Sequence, residues 1–156
     1  MKIESGLIRQ KQALGLLFSL LEEEFSALLD NLPKEVSSLE FSIQELIRQL
    51  MDEKDEIRSI LEKNNASSLT QYLEDLDGGE ASVIKEILED LRLLEEKCSH
   101  QAMKNNEIAK ALAEQSAGLL SIFYEQVAPR QEDVYSARGR WHDNGSKSTG
   151  LLRGRL

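Results

Sequence analysis

Apolar residues recur at steps of three and four along most of this chain, and no other feature constrains its fold as tightly. A step averaging about 3.5 residues keeps side chains on one side of an α-helix, where partner helices can cover them as a continuous seam. In the first stretch the series is Leu7, Leu14, Phe18, Leu21, Phe25, Leu28 and Leu32, with Lys11 its single polar member. Leu17, Leu20 and Leu29 widen the stripe. A helix from about Ser5 to Asn31 is therefore expected to touch two neighbours.

Pro33 suits the first turn of a second helix, because its missing N–H has no intrahelical partner there in any case. Val36, Leu39, Ile43, Leu46, Leu50, Ile57 and Ile60 carry that seam toward Asn64, with Glu53 in the one polar slot. A short helix from Leu69 to Leu76 is expected next. Gly78 and Gly79 in "DGGE" offer positive φ for a chain reversal. A third long helix is expected from Ala81, with Ile84, Ile87, Leu91, Leu94, Cys98, Ile108, Leu112, Leu119 and Ile122 on its seam. Gln101, Asn105 and Gln115 fall in the same register, and Pro129 ends the helix. The fold class is thus all-α: an elongated antiparallel bundle or coiled coil of three long helices spanning residues 1–128.

Residues 129–156 differ in character. They hold six cations (Arg130, Arg138, Arg140, Lys147, Arg153, Arg155) against Glu132, Asp133 and Asp143, a net +3, which leaves −12 on the rest of a chain of net charge −9. Four of the nine glycines lie here, and "VYSARGRW" places two aromatic rings and two arginines within eight residues. This composition predicts a flexible basic C-terminal tail attached to an acidic helical domain.

Several function classes are excluded or weakened by composition. The acidic balance argues against a nucleic-acid partner, and the tail's few cations would give only weak, salt-dependent binding. The most apolar stretch, Leu14 to Leu21, is far too short to span a bilayer, and "MKIESGLIRQ" lacks the apolar core of a signal peptide, so a cytoplasmic protein with no membrane insertion is expected. One cysteine precludes an internal disulfide framework. Cys98 and His100, two apart on a helix, face different ways and make a poor metal pair. "DLDGGE" lacks the spacing of a calcium loop, and His142–Asp143 has no nucleophile in a recognisable elbow beside it. Glu22 to Glu24 read as solvated helix surface. No enzyme activity and no cofactor are expected.

One stretch carries more apolar surface than three helices need. Leu119, Leu120, Ile122, Phe123, Tyr124 and Val127, with Leu112 a little earlier, make the end of the last helix apolar nearly all round. Such a surface suits an amphipathic partner helix, or the chain's own tail as its cover.

Three long helices with these seams, "KNNEIAKAL" in the last of them, and Tyr135 with Gly139 in "YSARG" beyond it together resemble the FlgN family of flagellar type III export chaperones. The specific positions are Asn105, Asn106, Tyr135 and Gly139. The resemblance implies a cytosolic chaperone that binds the amphipathic terminal segments of flagellar hook-associated proteins, prevents their premature assembly and delivers them to the export gate. It also implies that Tyr135 docks on the cytoplasmic domain of the gate protein FlhA, and that the region from about Pro129 onward takes part in client binding. The alternative is a non-enzymatic coiled-coil adaptor, or a chaperone of another secretion system.

Overall fold

Helix α1 runs over Lys2–Leu29 and buries residues 3, 7, 10, 14, 17, 21, 24 and 28, an unbroken alternation of four and three. That is the expected seam with one half shifted by a residue. Gln10, Leu17 and Glu24 are buried where Lys11, Phe18 and Phe25 were expected, and these last three lie half-buried alongside. The correction has a physical cause. Both phases satisfy the spacing, and a reading by apolarity prefers two phenylalanines to Gln10 and Glu24, whereas the fold gives Glu24 a partner. The computed structural model describes residues 2–127, 134–135 and 141–142, with Lys2, Val127 and the last four described by their backbone alone.

Asn31 closes α1 in the left-handed region at φ 53°. The Leu32 N–H donates to the Ala27 carbonyl at 2.9 Å and the Asn31 N–H to the Leu28 carbonyl at 3.2 Å, the bond pair of a Schellman motif. Helix α2, Pro33–Lys63, follows at once with proline in its first turn. Its buried residues are Ile43, Leu46, Leu50 and Ile57, with Val36, Leu39, Glu53 and Ile60 half-buried in the same register, as the spacing predicts. Asn65, at φ 57°, repeats the Schellman closure with Ala66 donating to Leu61 and Asn65 to Glu62.

A six-residue helix, α3, spans Leu69–Glu74. The Ser68 hydroxyl caps it by accepting from the Gln71 N–H, while the Gln71 side chain accepts from the Ser67 N–H and hydroxyl. Leu73 drops into the core. Helix α4 then runs over Gly78–Val127. It begins three residues before Ala81, because the Asp77 carbonyl already accepts from the Ala81 N–H. Gly78 and Gly79 therefore form its first turn and neither adopts positive φ, contrary to the reversal expected of them. Asn31 and Asn65 supply the left-handed residues instead. The helix is described as far as Val127, and the end expected at Pro129 lies outside the described residues.

Residues 1–112 form one compact unit. Arg9 meets Glu53 and Gly6 approaches Ile57, so α1 and α2 are antiparallel. Lys11 pairs with Asp90, the Cys98 thiol faces the Leu14 carbonyl, and Asn105 reaches Leu21, so α1 and α4 run parallel. The result is an all-α up–down–up bundle whose core extends from Ile3, Leu7, Leu14, Leu17 and Leu21 on α1 to Ile84, Leu91 and Cys98 on α4. Each such side chain contributes about 1.5–3 kcal/mol on burial. Ion pairs tie the bundle's outer edges: Arg9 holds Glu53 with two bonds of 2.8 and 2.9 Å, and Lys54 meets Glu95 at 3.0 Å. The polar slot at Glu53 and the misfit at Lys11 thereby find their partners.

Residues 113–156 form the second unit. Its described parts are the last turns of α4 and an antiparallel ladder of β1, Val134–Tyr135, with β2, Trp141–His142, pairing Val134 with His142 and Tyr135 with Trp141. The sequence reading expects no strand here. Val, Tyr and Trp favour extended backbone, which accounts for the ladder, and two residues per strand add no layer to an all-α protein.

Candidate functional site

The last turns of α4 follow from a sequence that keeps its helical propensity and its apolar content but loses its polar relief. Between residues 113 and 126 only Glu114 and Glu125 are charged. Every residue of that span is exposed. Leu119 is 62%, Leu120 52%, Ile122 51%, Phe123 54% and Tyr124 52% exposed, although Leu119 and Ile122 continue the seam that is covered earlier in the helix. At about 100° per residue, Ile122, Leu119 and Phe123 occupy one side and Leu120 and Tyr124 the next, an apolar arc of roughly 200°. Glu114 and Glu125 share the remaining sector. The Phe123 and Tyr124 rings meet edge to face, with centroids 6.1 Å apart and planes at 80°. Large apolar side chains gathered at this density make these turns the candidate interaction surface among the described residues.

The candidate residues are not all brought together. Leu119, Leu120, Ile122 and Phe123 form the patch. Leu112 lies half-buried in the first unit, at the end of the covered seam. The side chains of Val127 and Tyr135 lie outside the described residues, as does Gly139 altogether; Tyr135 is placed only as backbone in β1.

Asn105 and Asn106 have opposite fates. Asn106 is exposed, while Asn105 is 4% exposed and lies at the centre of a polar layer inside the bundle. Its amide nitrogen donates to the Leu21 carbonyl at 2.8 Å and to Glu24 Oε2 at 2.7 Å, and its Oδ1 accepts from Gln101 Nε2 at 3.0 Å. Glu24 is itself buried, so the pair holds α1 and α4 in one parallel register. No buried side-chain nitrogen or oxygen among the described residues lacks a partner. The sequence signal for this layer was present at Asn105, a seam position, whereas Glu24, expected as solvated surface, is buried because its carboxylate accepts from Asn105.

Among the described residues no group of three or more His, Cys, Asp and Glu side chains could hold a metal ion. Burial pushes the Cys98 thiol upward from its ordinary value, with the Glu95 carboxylate adding to the shift, which keeps it protonated and inert. No described helix is long and apolar enough to cross a membrane.

The described residues thus form an all-α bundle whose one long helix ends in exposed apolar turns. The family model described as FlgN protein matches residues 1–142, which takes in the bundle, the exposed turns and both short strands. The chain belongs to the FlgN family, and its general role is that of a flagellar export chaperone in type III secretion. No curated protein and no solved structure matches it significantly.

Proposed function

We propose that this chaperone takes the amphipathic terminal segments of flagellar hook-associated proteins onto the last turns of α4 and delivers them from the cytosol to the export gate. The observation that carries the reading is the run from Leu119 to Tyr124, five large apolar side chains each more than half exposed on a helix whose earlier seam is covered. A client segment folding onto it would exclude water from those side chains. Its ordering entropy offsets part of that gain, which keeps the complex reversible. Reversibility suits a carrier that must hand its client on without an energy source of its own.

Delivery needs a second contact, and Tyr135 is the residue assigned to it. It stands eight residues beyond the end of α4. A phenol offers ring area and a hydroxyl at low entropic cost, which suits a pocket on the cytoplasmic domain of FlhA. Tyr135→Ala should leave helicity and client affinity unchanged while reducing binding to that domain at least about tenfold, the range of a truncated interface anchor. Two measurements decide it: titration of the purified complex against the FlhA cytoplasmic domain, and secretion of the client in cells. Normal gate binding and normal export by Tyr135→Ala would remove Tyr135 from the pathway.

A further inference from the structure

Helices α1 to α4 enclose a cleft of about 250 Å³ within the first unit, independent of the proposed client site. Leu7, Ile57, Leu69, Leu88 and Leu91 form its apolar walls, and Gln10, Lys54, Arg92 and Glu95 complete the lining. Gln10 distinguishes this cleft. The buried polar side chains among the described residues are Gln10, Glu24 and Asn105. Glu24 and Asn105 bond each other, whereas the Gln10 side chain, in a residue only 5% exposed, makes no hydrogen bond among the described residues. No fully enclosed side-chain nitrogen or oxygen there lacks a partner, so the unpartnered Gln10 amide is not enclosed. It opens into the cleft that it lines.

The lining has a polar end and an apolar one. Gln10 stands between Arg9, which meets Glu53, and Lys11, which meets Asp90, and is therefore level with Lys54 and Leu91. Ile57, which Gly6 approaches, lies a turn further along with Leu7. Two cations face one acid in this cleft, on a chain whose net charge is −9. Lys54 gives Glu95 one N–H at 3.0 Å, and Arg92 holds Glu89 and Glu96 in exposed pairs. Exposed pairs contribute little, and an ammonium or guanidinium keeps further N–H donors for another anion. Water would serve Gln10 and leave the leucines beside it wet. A ligand with an anionic head and an apolar body satisfies both.

We infer that this cleft binds a free medium-chain monocarboxylate. Its carboxylate takes N–H donors from Gln10, Lys54 and Arg92, and its carbon chain lies along Leu7, Ile57, Leu88 and Leu91. Size limits the occupant: the volume falls below the roughly 300–1,000 Å³ of drug-sized sites, and a helix about 10–12 Å across cannot enter. Charge limits it further, since a cationic head would meet Lys54 and Arg92.

The test titrates octanoate, octanol and acetate into the full chain by calorimetry. One octanoate should bind saturably, at roughly millimolar affinity or tighter for a ligand of this size. Octanol, which lacks the charge, and acetate, which lacks the chain, should each bind at least about tenfold more weakly. Gln10→Leu places an apolar residue at a seam position, and Lys54→Gln changes an exposed side chain, so both should fold, as their unfolding midpoints will show. Each should weaken octanoate by about fivefold to tenfold. Lys34→Gln, the same charge change on α2 away from the cleft, should stay within about twofold. Absence of saturable binding, or equal binding of octanol, would remove the carboxylate from the account. Equal weakening in Lys34→Gln would reduce the effect to net charge. Wild-type affinity in both cleft variants, or an equal loss in Leu119→Asp, would put the ligand elsewhere. Tighter binding after deletion of residues 151–156 would give the cleft to the chain's own C-terminal segment. Each of these results overturns the proposal.

Discussion

Asn105 shows how one side chain can serve a binding protein without touching a ligand. Its amide bridges the Leu21 carbonyl and the Glu24 carboxylate inside the bundle. A polar group at a seam position weakens a helix pair but specifies how the helices align. Asn105→Ala would leave the buried Glu24 carboxylate without its donor. That should cost about 2–4 kcal/mol in urea unfolding. The double variant Asn105→Leu/Glu24→Leu should recover most of the loss, because removing both partners removes the unsatisfied charge. Its bundle should then be less uniquely aligned, read as broadened amide resonances. A double variant no more stable than Asn105→Ala would show that the pair does not act as a unit. Asn105 was legible in the sequence as a seam position, since it stands seven residues from Cys98. Its bonding was not, because spacing reports which face a residue occupies and says nothing about which atom lies opposite.

The helices follow the same division between what spacing reveals and what it leaves open. The seam of α2 and that of α4 as far as Leu112 stand as spacing predicts, because their apolar positions have no competing phase. In α1 two phases compete, and apolarity favours the wrong one: Phe18 and Phe25 outrank Gln10 and Glu24 until Glu24 is seen to have Asn105 opposite it. The turns were misassigned for a related reason. Glycine is the usual left-handed residue, but Asn31 and Asn65 take that role while Gly78 and Gly79 open a helix. Gly15 makes the element-level account testable. It sits in mid-helix, and a Cβ added there would meet nothing within 4 Å. Gly15→Ala should therefore stabilise the protein by about 0.5–1 kcal/mol through helix propensity alone, measured as a raised urea midpoint at unchanged slope. A loss of stability would mean that α1 is less regular than described.

At the scale of the whole molecule, the buried core and the proposed binding surface fall to different parts of the chain. The buried core runs from Ile3 to Cys98, whereas the apolar turns from Leu119 to Tyr124 are exposed. Residues 131–156 are polar and Gly-rich, and truncating them should shift Tm by no more than about 2–3 °C, since little apolar area is lost. A large drop would make that segment part of the core. The candidate surface was legible in sequence as an excess of apolar residues over what three helices can bury. Its extent was not, because Leu112 and Leu119 look alike on the seam and only the packing separates the half-buried residue from the exposed one. The central claim is that those exposed turns hold the client. Titrating the terminal segment of a hook-associated protein into the wild-type chain, Leu119→Asp and Phe123→Asp tests it most directly. Both side chains are more than half exposed, so each variant should keep wild-type helicity and unfolding midpoint, and each should bind at least about tenfold more weakly because a carboxylate would be left unpaired in an apolar contact. Wild-type affinity in both folded variants would contradict the claim and place the client elsewhere on the molecule.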